Sequence, residues 1–272
     1  MDKPPGMTSH DAVDRVRKTL GIKKVGHSGT LDPMASGLLV MGIGRATRLL
    51  RFLSDLDKEY EGTGKLGVET DTLDAEGRVT RTSEVEVNES ELRAAMQELT
   101  GDIEQRPPAY SAVQVGGERL YKAARRGEPV EAPPREVHVE AFELQSFNLP
   151  DFDFRVVCSS GTYVRSLVAD AGTAVGSGAH LTRLVRTRIG HFAIGDAKSP
   201  DGVADPLALE AAVQHLPRLD LSEDEAIAAR HGRPLGPPAR PGFHAAMDPD
   251  GRLVGIYRDC GTKSCPEVVI PE

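Results

Sequence analysis

Between Thr8 and Gly21, Val13, Val16 and Leu20 recur at helical spacing and predict a helix over residues 8–20 with one apolar face. Thr8 or Ser9 can cap it, Asp11 stands in its first turn, and Gly21 ends it. Glycines and Pro33 then mark residues 21–37 as a loop. Residues 38–44 (LLVMGIG) form a continuous apolar run that predicts a buried strand. Residues 46–53 predict a short helix carrying Arg45, Arg48 and Arg51 at steps of three. A strand begins near Tyr60, thinned by Gly62 and Gly64. Asn88 and Glu91 form a capping box for a helix whose core positions are Leu92, Met96 and Leu99.

Residues 105–135 break this pattern. Five prolines alternate with Arg119, Lys122, Arg125 and Arg126, which predicts an extended insertion around one short basic helix. Period-two alternation returns in 136–158 as two strands, followed by a helix over 164–175 and a basic segment, HLTRLVRTRIGHF. Residues 196–217 hold a small helix and prolines. Residues 218–272 read as a separate unit with one helix from Ser222 to His231 and short strands such as LVGIY and EVVI. The division expected is a large domain over 1–217 and a small module over 218–272.

Composition narrows the class. The chain has 272 residues, enough for one large domain and a small one. With no Trp and few aromatics, its core must rest on Leu, Val, Ile and Ala. Cys158 stands alone. Cys260 and Cys265 are five apart, with no further Cys or His nearby to complete a four-ligand zinc set, so three reduced thiols and no metal are expected. The N-terminal segment lacks the apolar core of a signal peptide, and no run is long enough to span a membrane, which predicts a cytoplasmic protein. The net charge is −8, but it is unevenly distributed. Residues 1–53 carry nine Lys/Arg against four Asp/Glu, and residues 54–104 carry five against fifteen. A basic face on an acidic protein is therefore compatible with a nucleic-acid partner.

The most informative stretch is GHSGTLDPMASG, residues 26–37. Its three glycines let the backbone run close to a ligand, and Pro33 restricts the conformation of Asp32. The result is a carboxylate held rigidly on a loop. Alone, this is equally the description of a structural Asp-Pro turn.

The stretch GHSGTLDPMASGLLVMGIGRATR resembles the signature of the bacterial tRNA pseudouridine-55 synthases. The resemblance continues in DKPPGMTSHD (2–11), DKEYEGTGKLGVETDTLDAEG (57–77), GDIEQRPPAYSAVQVGGERLYKAARRG (101–127), SSGTYVRSLVADAG (159–172) and GAHLTRLVRTRIGHF (178–192). Six blocks in order are far more specific than one motif. The resemblance implies an α+β pseudouridine synthase fold. That fold has a central mixed, mostly antiparallel sheet with flanking helices, a thumb insertion at about 105–135, and a small β-rich PUA-like C-terminal module.

It also implies residue roles. Asp32 falls on the family's nucleophile, Arg165 on its partner arginine, and Tyr60 on the tyrosine that stacks on uracil. Leu184 falls on the apolar pocket residue and His27 on the histidine associated with nucleotide flipping. The reaction detaches uracil from C1′, turns it and rejoins it through C5. It needs no cofactor, in keeping with the absence of a Walker A loop or dinucleotide fingerprint; GIGRAT lacks the third glycine. Burial would raise the Asp32 pKa and the Arg165 charge would offset this. The implied partner is the T stem-loop of tRNA, bound by a monomer without a protein partner. The RNA contacts expected are Lys23, Lys24, Arg45, Arg48, Arg119, Lys122, Arg125, Arg126, Arg183, Arg186 and Arg188. Extracting a stacked uridine costs a few kcal/mol, which such contacts must offset.

The sequence departs from the family pattern in places. Ser28 and Ser36 stand where Thr is usual, and Val185 where Arg is usual. Where the family has a short apolar strand before DKP, only Met1 and Asp2 precede Lys3 here, so either the chain starts upstream or the sheet loses an edge strand. Two other functions fit parts of the pattern: a guide-RNA-dependent synthase subunit, and a tRNA-binding or tRNA-folding protein without catalysis.

Overall fold

The computed structural model describes residues 1–238 and 240–271. Thr8 caps the first helix, Ser9–Leu20, through a capping box with Asp11. That leaves the Ser9 hydroxyl free to bond elsewhere. Asn88 and Ser222 cap the helices Glu89–Glu98 and Glu223–Arg230 in the same way.

The main sheet has eight strands. Seven follow one path: Asp2–Lys3, Ser36–Leu38, Ala179–Ile189, Lys58–Leu66, Asp151–Cys158, Arg135–Asn148 and Gly101–Gln105. The eighth, Phe192–Ala193, pairs with Ala179–Ile189. Ser36–Leu38 runs parallel to Ala179–Ile189, and the other pairs are antiparallel. Asp2–Lys3 is the edge strand beside Ser36–Leu38. The helices Glu89–Glu98 and Val164–Ala174 bring Leu92, Met96, Leu167 and Val168 into one core with Phe142, Phe154 and Val156 of the sheet. The fold is thus α+β with a mixed, mostly antiparallel sheet.

Gly62 and Gly64 do not weaken their strand. They lie opposite Phe154 and Phe152 of the neighbouring strand, and a Cβ on either would overlap the facing ring. The rings fill the space the glycines leave, as aromatic neighbours do for strand glycines.

Three expected elements take another form. The run 38–44 is not one strand. Ser36–Leu38 joins the main sheet, whereas Val40–Ile43 pairs with Val25–Ser28, and Leu39 between them donates its N–H to Met1 O. The helix over 46–53 is two 3₁₀ segments, Gly44–Arg48 and Leu50–Leu53. Three residues per turn set Arg45, Arg48 and Arg51 on one face. The small helix in 196–217 is the 3₁₀ turn Leu209–Val213.

A four-stranded sheet, Arg218–Asp220, Phe243–Met247, Leu253–Asp259 and Ser264–Val269, forms the C-terminal region. It packs on Leu49 and Val213, and Phe52 meets Phe243 edge to face. Three reduced thiols were expected, but Cys260 and Cys265 form a disulfide across the turn joining the last two strands. The spacing that cannot build a zinc set suits a hairpin: the Cα atoms are 6.1 Å apart, inside disulfide range. Among the described residues, no helix is long and apolar enough to cross a membrane.

Candidate active site

Asp32 sits on a loop tied down on both sides. Ser9, buried in the first helix, accepts from Leu31 N at 2.8 Å and donates to Leu31 O at 3.1 Å. Gly6 N donates to Pro33 O at 2.8 Å, and Lys3 Nζ reaches the same oxygen at 3.4 Å. Lys3 is fully buried and also donates to Pro4 O and Met7 O. Ala35 N closes the turn on Asp32 O at 3.1 Å.

Arg165 reaches this loop from the first turn of the helix Val164–Ala174. Gln105 fixes the start of that helix by bonding both backbone groups of Tyr163. Nε of Arg165 lies 3.0 Å from Oδ2 of Asp32. Nη1 donates to Thr72 O at 2.8 Å and meets Asp74 Oδ2 at 3.2 Å, and Nη2 donates to Tyr110 O at 3.0 Å. One buried guanidinium therefore joins residues distant in sequence: Asp32, the loop at 72–74, and Tyr110 in the insertion. The loop at 72–74 is itself strained, since Leu73 has φ 63°, a conformation that costs a non-glycine residue about 1–3 kcal/mol. Backbone bonds to Leu181 on both sides of Asp74 hold it there.

The electrostatics suit a poised carboxylate. The Asp32 side chain is 41% exposed, so it opens onto solvent, yet protein packed around it still dominates its titration. Burial pushes its pKa up, Arg165 and Lys3 pull it back, and Asp74 adds to the rise. The net shift is upward, so the guanidinium offsets the cost of burial only in part.

Tyr60 and Leu184 are buried in the same apolar cluster as Leu31 and Ala35, on either side of Asp32 in sequence. Burial pushes the Tyr60 phenol up, so it is neutral at neutral pH. This favours a stacking or hydrogen-bonding role over that of a ready base. His27 lies on the strand Val25–Ser28 with Nδ1 buried and unpartnered; burial and the Arg186 charge lower its pKa. The structure thus sets Arg165 on Asp32, places Tyr60 within reach of the Asp32 charge, and puts Leu184 in the apolar cluster shared with Tyr60.

The expected RNA contacts divide. Lys23, Lys24, Arg119 and Lys122 are exposed, and among the described residues they form no ion pair. Arg125 is exposed with its guanidinium over Tyr121. Arg126 is exposed but paired with Glu118, Arg183 lies 3.8 Å from Asp153, and Arg188 is 3.5 Å from Glu59. One expectation needs correction. Arg186 is only 1% exposed and its guanidinium donates to carbonyls inside the protein, so it presents no surface to phosphate. Arg45 and Arg48 are exposed, and they donate to Pro271 O and Val269 O. With Arg51 on Glu267, they grip the last strand of the C-terminal sheet.

Sequence reasoning missed Ser9, Lys3, Thr72, Asp74 and Tyr110. All five lie in blocks that carried the resemblance, but nothing in their spacing ties them to Asp32 or Arg165.

Solved structures place this arrangement in a known class. The chain matches the one titled "Structure of H/ACA RNP bound to a substrate RNA containing 2'-deoxyuridine" with a TM-score of 0.75 and 26% identity, covering 99% of this chain and 84% of that one. It matches one titled "Crystal Structure of a Cbf5-Nop10-Gar1 Complex" with a TM-score of 0.74 and 28% identity, at the same coverage. The fold is that of the pseudouridine synthases. Residues 17–164 match the model of the TruB family pseudouridylate synthase N-terminal domain, and residues 216–271 match that of the tRNA pseudouridine synthase II C-terminal region. Curated relatives called "tRNA pseudouridine synthase B" are 45% identical in Mycobacterium sp. (strain KMS) and 44% identical in Mycobacteroides abscessus. Each alignment covers 99% of this chain and 94% of the relative. The chain belongs to the TruB family of pseudouridylate synthases.

Proposed function

We propose that this protein isomerises a tRNA uridine to pseudouridine, that the uridine is the T-loop residue at position 55, and that Asp32 is the nucleophile. The observation that carries the proposal is the 3.0 Å pairing of Asp32 with the buried Arg165 in a chain of this family.

The uridine leaves the RNA stack and enters beside Tyr60 and Leu184, with His27 near the space it vacates. Ionised Asp32 attacks while the N1–C1′ bond breaks, in the covalent manner of retaining glycosidases. The base turns, C5 bonds to C1′ as the Asp32 oxygen leaves that carbon, and the proton lost from C5 is balanced by one taken up at N1. Arg165 keeps Asp32 charged and oriented. Tyr60 holds the uracil face. The exposed Lys23, Lys24, Arg119, Lys122 and Arg125 engage phosphates, with Arg126, Arg183 and Arg188 available once RNA displaces their carboxylate partners. Residues 1–217 act as the catalytic domain, with 105–135 as an RNA-gripping thumb and 218–272 as a PUA-like module. The protein works in the cytoplasm as a monomer without guide RNA or protein partner. Its 45% identity to relatives called tRNA pseudouridine synthase B favours this over a guide-dependent role like that suggested by the ribonucleoprotein neighbours.

The test uses purified protein and unmodified tRNA tritiated at uridine C5, with no guide RNA. Tritium release is expected from the wild type. Asp32→Asn should bind tRNA and release none. Release by that variant at the normal rate would overturn the assignment, and binding without wild-type release would favour a tRNA-folding role.

A further inference from the structure

We propose that Arg186 is a positioning residue for this reaction, holding the loop 29–38 in the shape that presents Asp32. The inference rests on Asp32 being the reacting carboxylate.

Arg186 lies in the strand Ala179–Ile189, and its side chain turns inward to reach both ends of the loop. Nε donates to Leu38 O at 2.8 Å, Nη2 to Gly29 O at 3.0 Å and Nη1 to Thr30 O at 3.4 Å. Asp32 lies between these anchor points. The main chain of Arg186 grips the loop as well, since Arg186 pairs with Gly37 in parallel register. Gly37 has φ +100°, and a Cβ there would overlap the Arg186 backbone, so only glycine permits this approach. On its other side Arg186 is in register with Tyr60. One residue therefore fixes the loop bearing the carboxylate and faces the strand bearing the stacking ring.

The side chain is also unusual in its partners. Among the described residues it forms no ion pair; three of its hydrogen bonds go to carbonyl oxygens of the loop, and its side chain also meets the Tyr60 phenol. A buried cation without a counter-ion is costly, which argues against Arg186 as a simple stabiliser of the fold. The planar fork of donors suits carbonyls spread across the mouth of a loop, whereas a lysine ammonium is a compact point on a flexible stem. Small displacements of a reacting group cost on the order of 100-fold in rate.

The test is Arg186→Lys, which keeps the charge and removes the fork. Single-turnover pseudouridine formation with saturating tRNA is expected to fall on the order of 100-fold, with the tRNA dissociation constant within about threefold of wild type. The melting curve must show a folded protein at assay temperature. Arg186→Gly supplemented with methylguanidinium should recover part of the rate, an effect that a loss of stability alone would not give. Wild-type turnover by Arg186→Lys, affinity falling in step with rate, or failure of Arg186→Lys to fold would each overturn the proposal. Asp32→Asn is assayed in parallel. If it turns over normally, the assignment of Asp32 fails. If it is inactive while Arg186→Lys is unimpaired, only the positioning role fails.

Discussion

Oδ2 of the buried Asp74 lies 3.2 Å from Nη1 of Arg165. The same carboxylate accepts from Thr72 Oγ1 at 2.6 Å and from Glu76 N at 3.1 Å, so its position is fixed before it meets the guanidinium. Asp74 thereby anchors the end of Arg165 that does not touch Asp32. Asp74→Asn keeps the shape and one acceptor but removes the charge. It should lower kcat by at least tenfold while leaving tRNA affinity near wild type. Asp74→Ala leaves a buried cation short of a partner and should cost about 3–5 kcal/mol of stability. Stopped-flow turnover, filter binding and urea denaturation check the three effects. Unchanged kcat in Asp74→Asn would show that Thr72 O and Tyr110 O suffice to orient Arg165.

The titration of Asp32 yields a prediction with a definite sign. Its folded pKa is raised by burial above the ordinary 3.8, and the reaction requires the ionised form. The acid limb of kcat/KM should therefore lie above the range of an exposed carboxylate. Lys3→Met removes one of the two charges that pull Asp32 down and should move the limb to higher pH. Stability runs the other way. Between 3.8 and the folded pKa the native state holds the proton more often than the unfolded chain, so the Asp32 contribution to stability falls as pH rises through that window. Rate profiles and denaturation of wild type and Asp32→Asn across the acid range measure both. A limb unmoved by Lys3→Met would remove Lys3 from the electrostatics of the site.

Cysteine chemistry distinguishes the two halves of the chain. Cys158 is buried and its thiol is pushed up to about 11, so roughly 10⁻⁴ of it is thiolate at pH 7. Cys260 and Cys265 are bonded to each other. Native protein should take up no iodoacetamide at neutral pH, unfolded unreduced protein one equivalent, and unfolded reduced protein three. Intact-mass spectrometry reads each state. Three equivalents without reduction would mean that the hairpin thiols are free in solution.

How far the sequence could be read depended on whether the signal was local. A capping box announced one helix because its partners, Asn88 and Glu91, are three residues apart. Asp32 and Arg165 were found through the blocks surrounding them, yet their pairing spans more than a hundred residues and has no local signature. The task of Arg186 was misread for a related reason. A basic residue in a polar run looks like a surface charge, and only the fold shows that its donors meet carbonyls of a distant loop. Gly62 read as a weakness because Phe154, whose ring occupies the space beside it, lies on another strand. The disulfide was missed because five-residue spacing counts against zinc, while the turn that closes it becomes visible only with the hairpin.

That division among the arginines gives the final prediction. Arg119 and Lys122 are exposed in the insertion without an acceptor among the described residues, whereas Arg45 and Arg48, also exposed, donate to Pro271 O and Val269 O. Neutralising a residue that engages phosphate should weaken tRNA binding and flatten its salt dependence, by about 0.7–0.9 in log–log slope for each phosphate no longer neutralised. Arg119→Ala with Lys122→Ala should show both changes with little effect on the melting curve, because neither side chain forms an ion pair among the described residues. Arg45→Ala with Arg48→Ala should leave the slope nearly unchanged while lowering stability modestly, because it removes two solvent-exposed hydrogen bonds to the end of the chain, each worth about 0.5–1.5 kcal/mol. Titrating tRNA binding against potassium chloride for both double variants, with melting curves alongside, distinguishes them. If the second pair flattened the slope as much as the first, Arg45 and Arg48 would have to leave their carbonyl partners for RNA.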